Sequence, residues 1–156
     1  MTRLRLSFLL SPLLGLLLAL AGCGGGDSSA TEYREQAEGI CTTAAREAAE
    51  VTPPSDDAAS VAEYSDAVAE VRERETVALD ELEPPGELES GHRQLVNASG
   101  AIVRSLHDLA RAAEREDQTA AAAAAAAGNR AADQARRAAE ELELPSCGQP
   151  GQPRVE

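Results

Sequence analysis

The sequence predicts an all-α protein, an up-down-up-down four-helix bundle, on three observations. Apolar residues recur at spacings of three and four along four successive stretches, the period of one helix face. Two Pro-Pro pairs, Pro53-Pro54 and Pro84-Pro85, break the chain between stretches, where proline removes a donor and clashes with the preceding turn. The chain of 156 residues has two tyrosines, one phenylalanine and no tryptophan, so a core must come from Ala, Val, Leu and Ile. Its length leaves room for one domain with one modest core.

The first 22 residues predict a leader. Met1 to Arg5 carries two arginines and no acid, the positive start of an exported chain. The apolar run from Leu6 to Ala21 is interrupted by Pro12 and Gly15 and falls short of the ~20 residues of a spanning helix, which counts against an uncleaved membrane anchor.

The run ends in Leu20-Ala21-Gly22-Cys23, which resembles the lipobox of bacterial lipoproteins. The resemblance implies cleavage before Cys23, a lipid on its sulfur, and a mature chain held by that lipid on the extracytoplasmic face of the cell membrane. That chain would carry a formal charge of −15, with 27 acidic against 12 basic residues. Such a body is unsuited to nucleic acid and is repelled by anionic headgroups, leaving the lipid as its membrane partner. Residues 23–30 follow as a flexible tether, Gly- and Ser-rich.

The bundle is expected over 31–147. Helix one, 31–51, carries Tyr33, Ala37, Ile40, Ala44, Ala48 and Val51 on one face; Ser29 and Glu32 suit a capping box, and Arg34 and Glu38 an i,i+4 pair. Helix two, 56–82, starts after a Ser55-Asp56-Asp57 cap and carries Val61, Tyr64, Val68, Val71, Ala78 and Leu82. Glu75 interrupts that stripe; burial would be costly, so a rotation that brings in Leu79 should leave it at the edge. Helix three, 86–115, has the best pattern and most of the bulk, from Leu88 through Leu95, Ser99, Ile102, Leu106 and Leu109 to Ala113. Gly91 and Gly100 either weaken it by about 1 kcal/mol each or mark close helix contacts.

No Pro or Gly separates helices three and four, yet one helix from Glu87 to Glu143 would be about 85 Å long with too little partner to cover it. A turn is therefore expected near Asp117. Helix four, 118–143, opens with the alanines Ala120 to Ala127 and continues through Ala131, Ala135, Ala138 and Leu142. It forms readily and buries little beyond methyl groups. Residues 148–156 read as a loose tail.

With Cys23 assigned to the lipid, Cys41 and Cys147 remain as a disulfide pair in an oxidising compartment. The rival is a metal site, which lacks further Cys or His at ligand spacing. The end of helix four lies beside the start of helix one in this topology, within reach of such a bond.

The arrangement also resembles a class of small helical lipoproteins from GC-rich Gram-positive bacteria. There a lipobox precedes a helix carrying Ile-Cys (Ile40-Cys41), a Leu-x-Pro-Pro break follows (Leu82 to Pro85), and a Cys-Gly lies near the end (Cys147-Gly148). The resemblance implies a location and a helical fold, and no activity.

No residue set amounts to an active site. Glu89-Ser90-Gly91-His92 contains one Glu-x-x-His step, half of a di-iron carboxylate site. The other half is missing, because His107 has Arg104 three residues before it. His92 is expected at a helix surface or bundle end. Ser90, Ser99 and Ser105 sit in no nucleophile elbow, and Glu70 to Glu75 reads as a solvated charged face. The expected function is a non-catalytic binding or structural accessory of the cell envelope, without metal or cofactor and with an envelope protein or polymer as partner. The alternative is a small-molecule receptor using a groove beside the alanine-rich fourth helix.

Overall fold

The computed structural model describes residues 25–55 and 57–148, and side chains from Ser29 onward. The expected leader, Leu20 to Cys23 and residues 149–156 lie outside them. The described residues form a four-helix bundle: α1 (Gly25–Glu50), α2 (Ala58–Asp80), α3 (Glu89–Glu114) and α4 (Gln118–Leu142). The helix α3 packs closely on both α2 and α4, while α1 packs on α2 and joins α4 around the disulfide.

The helix ends follow local chemistry. Asp57 caps α2 by accepting from the Ser60 amide at 2.9 Å. The Ser55 hydroxyl and then the Ser60 amide hold the Asp57 carboxyl below its usual range. Between α3 and α4 the chain turns without glycine. Glu116 adopts φ 51°, the Asp117 amide reaches back to the Ala112 carbonyl at 2.9 Å, and the Glu116 amide reaches that of Ala113. This is a Schellman closure. Asp117 then caps α4 through the Ala120 amide, so the turn expected near Asp117 is present. A second such closure ends α4, with Glu143 at φ 61° and the Leu144 amide on the Ala139 carbonyl; Leu144 is fully buried just beyond it.

The first helix begins six residues before its expected start, so Gly25 to Ala30, expected as tether, are helical. Burial accounts for Ala30. Ala30 lies one turn before Tyr33 on the face that carries Ala37 and Cys41, and all four are buried in the main core. Ser29 is consequently inside the helix and does not open it. Gly148, expected in the tail, packs on α4 against the Arg136 backbone.

The main core lies at the disulfide end, where α1 contributes Tyr33, Ala37 and Cys41, α3 contributes Leu95 and Ala98, α4 contributes Leu142, and Leu144 follows from the turn beyond it. The Cys41 and Cys147 sulfurs stand at bonding distance, 2.05 Å, across 106 residues of sequence. Closing a loop of that length is worth up to about 4.7 kcal/mol in the chain-entropy model. Polar links reinforce the same end. Arg34 donates to the Leu142 carbonyl at 3.0 Å and pairs with Glu143 rather than Glu38, while Glu38 accepts from the Ser146 amide.

Of the two α3 glycines, Gly91 marks a close contact: a Cβ there would meet Leu142 Cδ2 at 2.9 Å. At Gly100 a Cβ would meet only the flexible tip of Arg104, at 3.5 Å. Gly91→Ala is therefore expected to lower the unfolding free energy by about 1–3 kcal/mol. Gly100→Ala is expected to raise it by up to about 1 kcal/mol. Urea denaturation of both variants checks the contrast.

Candidate functional site

Alanine side chains stop at Cβ, and the first half of α4 is almost entirely alanine. Where that half faces the bundle interior, a cleft of about 260 Å³ remains. One wall is Ala124, Ala125, Gly128 and Ala132 of α4, and the opposite wall is Ile102, Leu106 and Leu109 of α3. Cys147 and Gly148 line it as well, with Arg72 and Glu75 of α2 and the exposed Asn129 of α4. No α1 residue lines it.

The leucines expected as core on α3 thus divide by position. Leu95 is fully buried near the disulfide, whereas Leu106 and Leu109 remain half-buried along the cleft because α4 offers them only methyl groups. Gly128 lets α3 and α4 approach, since a Cβ there would meet Ser105 Oγ at 2.7 Å. Ser105 already donates to the Ile102 carbonyl within its own helix, and so has no activated nucleophile character. Ser99 also lines the cleft.

Arg72 and Glu75 correct the sequence expectation. Leu79 is buried as the rotation required, but Glu75 is buried with it. Its carboxylate accepts from Arg72 at 2.6 Å, with only 4% of the Glu75 side chain and 11% of the Arg72 side chain exposed. The spacing i,i+3 puts the two on one helix face, so the pair enters the interior together and the burial cost is offset locally. Burial pushes the Glu75 carboxyl above its usual range against the opposing pull of Arg72.

Two further residues of the charged run, Glu73 and Arg74, are also engaged. Arg74 pairs with Glu47 of α1, and Glu73 with Asp66 brackets His107 of α3. Asp66 meets Nδ1 at 3.1 Å and Glu73 meets Nε2 at 3.0 Å. Ionised carboxylates only accept, so both ring nitrogens must carry protons, and the bonds from Glu73 and then Asp66 raise the His107 pKa.

His92, expected at a surface or bundle end, is buried against Tyr33, with the phenol oxygen 3.0 Å from Nδ1 and the rings edge-to-face. Glu89, its partner in the di-iron half-motif, turns away to Arg93. Burial lowers the His92 pKa and raises that of Tyr33. The neutral ring accepts a hydrogen bond from the phenol O–H at Nδ1 when its own proton is on Nε2. Among the described residues no group of three or more His, Cys, Asp or Glu is placed to hold a metal ion.

Glu75→Ala is expected to cost about 3 kcal/mol because it strands a buried guanidinium, whereas the R72M/E75L double substitution should restore or exceed the parent stability. Equilibrium denaturation separates the two. The histidines should titrate on opposite sides of 6.5 in ring-proton NMR. His107, raised in the fold, stabilises fully below 6.5 and loses that contribution as pH rises through its folded value. His92, lowered in the fold, stabilises above 6.5 and loses its contribution as pH falls through its folded value.

Compared with protein-family models, curated proteins and solved structures, the chain finds no match in any of the three.

Proposed function

We propose that the protein is a lipid-anchored receptor on the extracytoplasmic face of the cell membrane, with the cleft beside α4 as its binding site. The observation that carries the binding part is the interior space of about 260 Å³ along the alanine half of α4. It is close to the lower end of ligand pockets at about 300 Å³, and its lining is mainly apolar, with Arg72, Glu75, Ser99, Ser105 and Asn129 as the polar groups. The anchor rests on the Leu20-Ala21-Gly22-Cys23 stretch and the charged, apolar leader before it. No helix among the described residues is long and apolar enough to cross a membrane.

With α1 beginning at Gly25, a lipid on Cys23 would set the N-terminal end of α1 near the bilayer, with Cys41 about 24 Å further along the helix. The protein then acts as a binding accessory of the envelope, without chemistry of its own, presenting or withholding a small molecule near the membrane. A structural accessory gripping an envelope protein or polymer is the second reading, favoured by the acidic outer faces of the helices.

Cys23→Ser is expected to release the protein from the membrane fraction with its unfolding curve unchanged; retention in that fraction would contradict the anchor. Native mass spectrometry of the full chain extracted from its own membrane tests the receptor. One small molecule per chain is expected, and repeated recovery of the empty chain would contradict it.

A further inference from the structure

The polar groups of the cleft specify more than a greasy pocket. Arg72 and Glu75 both line it, and both are largely withdrawn from water. Their charges cancel at 2.6 Å, so the site is neutral inside a strongly acidic molecule. A guanidinium has more N–H donors than one carboxylate oxygen uses. Among the described residues, Arg72 donates to Glu75 alone, so this cleft-lining residue has further N–H groups that no protein acceptor takes and that water reaches.

Charge complementarity then selects the occupant. An anionic head would come close to the Glu75 carboxylate in a site of low dielectric, where like charges repel strongly. A cationic head would sit against the Arg72 guanidinium in the same low-dielectric site, where like charges repel. A neutral acceptor leaves the pair intact and takes the unused donors. Size adds the last limit: a space of about 260 Å³ holds a molecule on the order of ten non-hydrogen atoms, at the small end of ligands.

We propose, building on the receptor reading above, that the cleft takes a small uncharged amphiphile whose carbonyl-type acceptor hydrogen-bonds to Arg72 while its apolar body lies along Leu106, Leu109 and the α4 alanines. The occupant is thus an amide, ester or similar neutral derivative of a short hydrocarbon, rather than a fatty acid or an amine.

Three probes of one chain length test this: octanamide, octanoate and octylammonium, titrated into the full chain in nanodiscs and followed by protein-detected methyl NMR. Octanamide should shift the methyl signals of Ala124, Ala125, Leu106 and Leu109 and bind at least tenfold more tightly than either charged probe. In R72M/E75L, where both partners become apolar, that discrimination should vanish while the methyl shifts persist. Equal affinities in the parent protein would overturn the head-group assignment and leave the cleft as a receptor. Tightest binding of octanoate would overturn neutrality. Retained discrimination in R72M/E75L would remove Arg72 from the recognition, and an absence of shifts with all three probes would overturn the receptor reading as well.

Discussion

A helix faced with methyl groups can touch a neighbour only where the backbones come close. The first half of α4 is such a helix, and the rest of the bundle is arranged around this constraint. It reaches α3 because Gly128 lets Ser105 sit against its backbone, but apart from Asn129 it brings only methyl groups and a glycine to the cleft. The space so left is the cleft, and the half-burial of Leu106 and Leu109 is its consequence on the facing helix. Bulk returns only at the other end of α4, in Leu142 and Leu144, and there the core closes.

The disulfide belongs to the same division. Packing holds α4 well at its leucine end, and the covalent link from Cys147 to Cys41 adds α1 to that end without requiring α1 to cover the alanine half. Arg34 and Glu38 work beside it, binding the carbonyl and amide groups that the end of α4 and the following turn would otherwise leave unpaired. The molecule therefore has a firmly closed end and an open interior at mid-length. The Arg72–Glu75 pair tolerates the second because a neutral, hydrogen-bonded unit costs less beside an apolar cleft than either charge alone.

Much of the architecture was legible because the signals were strong. Pro53-Pro54 and Pro84-Pro85 placed two turns, the excess length of an unbroken helix placed the third near Asp117, and the scarcity of other thiols pointed to Cys41 and Cys147. The start of α1 was hidden because Gly25 to Ser29 has a coil-like composition, and only the fold shows Ala30 buried beside Tyr33. Glu75 was misplaced because its partner, Arg72, sat in a run whose charges looked like a solvated face. Helical spacing i,i+3 was the available clue. The contacts of His92 with Tyr33, and of His107 with Asp66 and Glu73, span 59, 41 and 34 residues. No local pattern encodes such pairs. The groove beside the fourth helix was anticipated from alanine content alone, but its polar wall required the fold.

The central claim is that the alanine half of α4 leaves usable space inside the bundle. Ala132 lines that space and is half-buried, so the unfolding free energy of Ala132→Leu is the most direct measurement. The three added carbons should enter the cleft and raise stability by up to about 2 kcal/mol, at ~0.8 kcal/mol per buried carbon. A loss of about 1–3 kcal/mol, the response of a core already packed to density, would contradict the account.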